Sequence, residues 1–219
     1  MIPAGVSSLV KKEITLEWRQ KFAFNGVLLY LVSTVFVCYL AFDGVIATNT
    51  WNALFWIIML FASVNAILKS FLQERDGRQL YYYTLASPVA IILSKIIYNA
   101  LLMVLLSLAG FGVFAVFMGN PVESHVLFIL NMLLGVAALS SVLSMVSAIA
   151  SRARNNFTLM AVLSFPLVLP LLLVLIRNSG AALRGTTLAA QWPDLLLVVL
   201  LAGITLALSI VLFPYIWKE

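Results

Sequence analysis

The chain has 219 residues, of which 63% are hydrophobic and only 10% charged, with a formal net charge of +5; its mean hydropathy is +1.11. This excludes a soluble globular fold, because one aqueous core cannot absorb so much apolar surface, and it makes lipid the solvent. The one cysteine, Cys38, excludes an intrachain disulfide and a thiolate metal cluster, and no nucleic-acid partner is expected.

The first predicted element is an amphipathic helix over residues 6–21. Val6, Val10, Ile14 and Trp18 recur every fourth residue, while Lys11, Lys12, Glu13 and Arg19 fall on other faces. Such a helix is expected in the membrane interface; the alternative is docking on a partner protein. Glu13 and Glu17 beside the lysines, with no convincing small-residue cleavage site after the next apolar stretch, argue against a removable signal peptide.

A span needs about 20 mainly apolar residues and must be helical to satisfy its own backbone hydrogen bonds. Six such stretches follow, at 22–42, 51–72, 91–118, 126–150, 157–176 and 195–217. They leave no room for a soluble domain, so residues 1–219 read as a single all-α transmembrane domain of six spans with an N-terminal interfacial helix. In the third span, Lys95 is expected to snorkel toward the headgroups. Gly119, Asn120 and Pro121 mark a tight turn before the fourth, and the break after it is Ser151 to Asn156.

Inside the spans the polar residues are amides and hydroxyls: Asn65, Asn99, Asn131, and the series Ser140, Ser144 and Ala148 with its neighbours Ala137 and Ser141. Small residues four apart let helices approach closely. They either pack spans within the chain or line a subunit interface or substrate path. Pro166 and Pro170 should interrupt the backbone ladder of the fifth span and bend it. A short helix or re-entrant turn is expected between Arg177 and Asp194.

With the N-terminus cytoplasmic, Lys11, Lys12, Arg19, Lys21, Lys69, Arg75, Arg78, Lys95, Arg152, Arg154 and Lys218 fall inside, against Arg177 and Arg184 outside. That asymmetry predicts both termini in the cytoplasm.

No phosphate-binding loop, metal-binding histidine pair, dinucleotide turn or nucleophile elbow occurs, so no catalytic residue is assigned. His125, the one histidine, is a candidate haem ligand, a helix cap or a headgroup contact. Every carboxylate falls in a loop or at a span end, which disfavours ion-driven transport.

The connection between the second and third spans is charged, then aromatic, then turned by Ser-Pro. Gly77 and Pro88 bracket a short helix in which Leu80, Tyr81 and Tyr83 to Leu85 offer anchors for a protein partner or for headgroups. Here the sequence resembles the membrane subunits of ABC-2-type exporters, and most closely the haem exporter protein B family, the permease subunit of the cytochrome c maturation system. The matching residues are Phe71, Glu74, Asp76, Gly77, Leu80, Leu85, Ser87 and Pro88, then Lys95. Lys12-Glu13, the small-residue span ending at Arg152, and Phe165-Pro166 to Pro170 agree as well. Tyr81 departs from the pattern, since many members carry Glu there, so that acid's role does not transfer.

The resemblance implies a coupling helix over residues 74–88, with Arg75 and Arg78 beside the matching residues, docking on a separate ATP-binding subunit. Arg152 and Arg154 would supply a smaller second contact. It further implies a location in the bacterial cytoplasmic membrane, a homodimer, haem-handling membrane proteins as partners and haem as cargo. No cofactor is expected to be bound directly, ATP being held by the partner. ATP hydrolysis there would drive haem transfer or, as favoured here, release of a haem-loaded chaperone. The alternative is a subunit of another ABC-2-type exporter, for lipid-linked sugars or drugs.

Overall fold

The computed structural model describes residues 5–20, 22–43, 46–72, 87–150 and 156–218. These form seven α-helices: α1 (Val6–Gln20), α2 (Phe22–Ala41), α3 (Thr48–Leu72), α4 (Pro88–Met118), α5 (His125–Ala150), α6 (Asn156–Leu183) and α7 (Leu188–Lys218). The last six are each long and apolar enough to cross a membrane. They run alternately up and down, so one end of the bundle gathers α1, the end of α3 and the start of α4. We call it the basic end for the lysines and arginines clustered in sequence there.

α5 is the centre, in contact with α3, α4, α6 and α7. Its composition explains the position: Gly135, Ala138, Ser140, Ser141, Ser144 and Ala148 are all buried and small, so neighbouring helices come close without voids. A Cβ on Gly135 would sit 2.7 Å from both the Trp56 ring and Leu175. α2 and α7 form the rim, with only 17% and 22% of their spans buried; rows of exposed leucine, valine and isoleucine there suit contact with lipid tails. Away from the basic end, Trp51, Phe55, Phe111, Phe114 and Phe128 form an aromatic core, with Phe55 and Phe128 at a centroid distance of 5.4 Å and Phe111 and Phe128 at 5.1 Å. Offset and edge-on contacts at such spacings suit the ring quadrupoles.

The far-end turns are hydrogen-bonded. Between α4 and α5, Gly119 takes a φ of +73°, the Val122 amide donates to Asn120 Oδ1 (3.2 Å), and the Trp51 indole donates to the Gly119 carbonyl (3.2 Å). Between α6 and α7 the chain departs from the sequence reading. No separate short helix or re-entrant turn lies between 177 and 194: residues 177–183 complete α6, and residues 188–194 open α7. α6 closes with the Thr186 amide donating to Ala181 and the Gly185 amide to Ala182, and Gly185 has a φ of +72°. This is the paired bonding of a Schellman cap, for which glycine is the favoured residue. The polar run Arg177-Asn178-Ser179-Gly180 looked like the end of a span. In fact Asn178 and Ser179 turn inward and are fully buried.

α6 also runs as one helix through Pro166 and Pro170. Neither proline can donate to the carbonyl four residues earlier, so the Val162 and Pro166 carbonyls lose their usual partners. Both of these residues lie on the exposed face of the helix.

Candidate functional site

At the basic end the bundle carries charge inside. Lys95, two turns into α4, is 2% exposed. Its Nζ donates to the Ser70 carbonyl (3.1 Å) and lies 3.8 Å from Glu13 Oε1 of α1. Ser70 is in the last turn of α3, where carbonyls have no helical donor and carry partial negative charge, so the ammonium caps that helix. The expected snorkelling of Lys95 is therefore corrected: a carbonyl and a carboxylate within reach turn the side chain inward, where pairing offsets desolvation.

One turn on from Glu13, Glu17 serves two helices. Its Oε1 accepts the Phe24 amide of α2's first turn (2.8 Å), and its Oε2 accepts the Tyr98 hydroxyl of α4 (3.2 Å). A backbone donor that α2 leaves open is thus closed by α1. The apolar side of α1 packs as well: Val6 is buried, and Leu9 lies on a cluster of Ile91, Ile92, Ile96, Ala148 and Phe213. Ile14, on the apolar stripe of the expected interfacial helix, is exposed and available to lipid, while the helix presents its two carboxylates to the bundle.

Of the proposed coupling residues, Glu74, Arg75, Asp76, Gly77, Arg78, Leu80, Tyr81, Tyr83 and Leu85 lie outside the described residues, as do Arg152 and Arg154. The end of that stretch is described. Ser87 is the N-cap of α4, its hydroxyl accepting the Ala90 amide (3.3 Å), and Pro88 opens the helix, where its fixed φ and missing N–H fit. Residues 73–86 therefore join two ends that Lys95 also joins, since it belongs to α4 and binds α3.

The small-residue stripe of α5 faces α4 within the protomer. Ser140 Oγ donates to the Ile96 carbonyl (3.1 Å), Asn99 Nδ2 donates to Ser144 Oγ (2.9 Å), and Ala148 is buried. The stripe is consequently not available as a subunit interface. Asn131 Nδ2 donates to the Leu175 carbonyl of α6 (3.0 Å), whereas Asn65 folds back on its own helix at Phe61 (2.9 Å). His125 is exposed at the start of α5, its Nε2 3.1 Å from Asn120 Nδ2. No group of three or more metal-ligating side chains is found among the described residues.

Sequence reasoning missed two constellations. One is Glu13, Glu17, Lys95 and Tyr98; the available signal was a lysine inside a span, which calls for an acid partner, with two acids on the preceding amphipathic helix. The other joins α3 to α6: the Trp56 indole donates to Ser179 Oγ (2.7 Å), Ser179 Oγ lies 2.6 Å from Asn52 Oδ1, and Asn52 Nδ2 donates to the Ile176 carbonyl (2.8 Å). Its members are far apart in sequence and fall near expected span ends, so nothing local marked them as neighbours.

Comparison with curated proteins gives no match. The family described as CcmB protein matches residues 4–217, nearly the whole chain and both constellations. The chain therefore belongs to the CcmB family, the multi-pass membrane permease component of an ABC-type haem-export system serving cytochrome c biogenesis.

Proposed function

We propose that this permease subunit sits in the bacterial cytoplasmic membrane with both termini inside, and that residues 74–88 dock on a separate ATP-binding subunit whose hydrolysis drives haem-chaperone release. The observation that carries the reading is the family match across residues 4–217. The basic residues favour this orientation. A subunit without a phosphate loop is driven only by contacts that differ between the nucleotide states of its partner, and Ser87 with Pro88 supplies a capped re-entry into α4. Release is favoured over passage of haem through the bundle because the sequence has one histidine and one cysteine, and span methionines such as Met59, Met103 and Met145 are buried in core packing.

The subunit acts as a homodimer, joined through the outward face of α6. Val162, Phe165, Leu169 and Leu173 are exposed on that helix and form a continuous apolar face. A second copy covers this face.

Deleting residues 79–85 tests the dock: the chain should still insert, and the ATPase subunit should no longer co-purify. Retention of the ATPase overturns the assignment. Deleting the gene should abolish haem-staining c-type cytochromes, and rescue should require the intact segment. Normal cytochromes after deletion overturn the haem role.

A further inference from the structure

α1 reads in sequence as a helix floating at the membrane surface, yet it contributes to the bundle's interior. Lys95 touches three elements at once: it belongs to α4, donates to the last turn of α3 through the Ser70 carbonyl, and lies against Glu13 of α1. A lysine near a span end reaches water easily, and this one is buried instead. The second carboxylate, Glu17, holds Tyr98 of α4 and the first turn of α2. α1 is thus tied by polar contacts to α2 and α4 and, through Lys95, to the end of α3, and Leu9 adds an apolar contact on the Ile91–Ile92–Ile96 surface.

We propose that Lys95, Glu13 and the Ser70 carbonyl form a polar bolt joining α1 to the end of α3 and the start of α4, so that these three move as one rigid body. Any displacement of the end of α3 and the start of α4 is then carried to α1, and through Glu17 to α2's first turn. The mechanical consequence rests on the reading of residues 74–88 as the ATPase dock; the bolt itself does not.

The test uses the full complex in native membranes, with Cys38→Ala as background and cysteines introduced at Leu9 and Ile92. A short bifunctional thiol-reactive cross-linker, a bis-methanethiosulfonate, should join the two with equal yield with and without a non-hydrolysable ATP analogue. Lys95→Met should lower that yield several-fold, and Lys95→Arg should largely preserve it. Glu13→Gln leaves α4 untouched and reports on the same bolt if Lys95→Met fails to insert. The double variant should be no worse than Lys95→Met alone, because the two groups act as a unit. A yield that changes with nucleotide in the chain retaining Lys95, an unchanged yield in Lys95→Met, or additive losses in the double variant each overturn the proposal. If the ATPase fails to co-purify with the chain retaining Lys95, the docking assignment fails, and the nucleotide-free comparison still decides the bolt.

Discussion

Ser179 accepts the Trp56 indole proton and shares its own between Asn52 Oδ1 at 2.6 Å and the Leu175 carbonyl at 2.7 Å. Ser179→Ala removes the acceptor and leaves the buried indole N–H unpaired, an expected loss of about 1–3 kcal/mol that a thermal unfolding midpoint in detergent would report. No change would mean the indole finds another partner. Gly135→Leu should also destabilise, since the Trp56 ring and Leu175 already occupy the space of its first carbon; overpacking of this kind costs about 1–3 kcal/mol, and a midpoint equal to that of the unsubstituted chain would contradict the close approach. How far such residues were legible in the sequence differs. Asn99 and Asn131 stood out as amides in apolar runs, and both bond across helices. Asn65 stood out equally and bonds only within α3. The difference lies in the rotation of each helix about its axis, which is set by neighbours distant in sequence.

The helices themselves were largely legible, because an uninterrupted apolar run in lipid has few alternatives to a helical span. Where sequence and structure differ, a buried polar side chain stands at an expected boundary. Arg177-Asn178-Ser179-Gly180 reads as a loop until Asn52 and Trp56 of α3 are placed beside it, and the true stop comes at Gly185. Gly185→Ala forces a side chain into the left-handed region, at about 1–2 kcal/mol, and drives its Cβ against the Glu123 carboxylate. The expected result is a lowered unfolding midpoint that Glu123→Ala partly restores; full tolerance would count against the cap. α1 was legible as a helix but not in its rotation: spacing placed Val6, Val10 and Ile14 on one apolar face, while the docked face includes Glu13 and Glu17, whose partners Lys95 and Tyr98 lie on α4.

For the whole molecule, orientation and partnership can be tested separately. A cysteine replacing Arg184 should react with a membrane-impermeant thiol reagent in intact spheroplasts, and one replacing Lys218 only after permeabilisation. The reverse pattern would invert the proposed topology. A cysteine replacing Val162 should cross-link to its counterpart in a second copy if the α6 faces meet, and persistent monomers would remove that interface. The two ends of the bundle are also built differently. Opposite the basic end, α6 passes into α7 through residues 184–187 alone, and the Ser124 amide ahead of α5 donates to the Ala182 carbonyl (2.9 Å). At the basic end, α3 and α4 are separated by residues 73–87. α4, with 31 residues, is about 46 Å long, and helix displacements in switching proteins are about 1–2 Å. Pivoted on the short turns, a push of that size tilts α4 by only about 2°. On the proposed docking at residues 74–88, the lever arm is longest at the basic end and vanishes at the fulcrum, so the far turns should stay nearly still while the basic end swings.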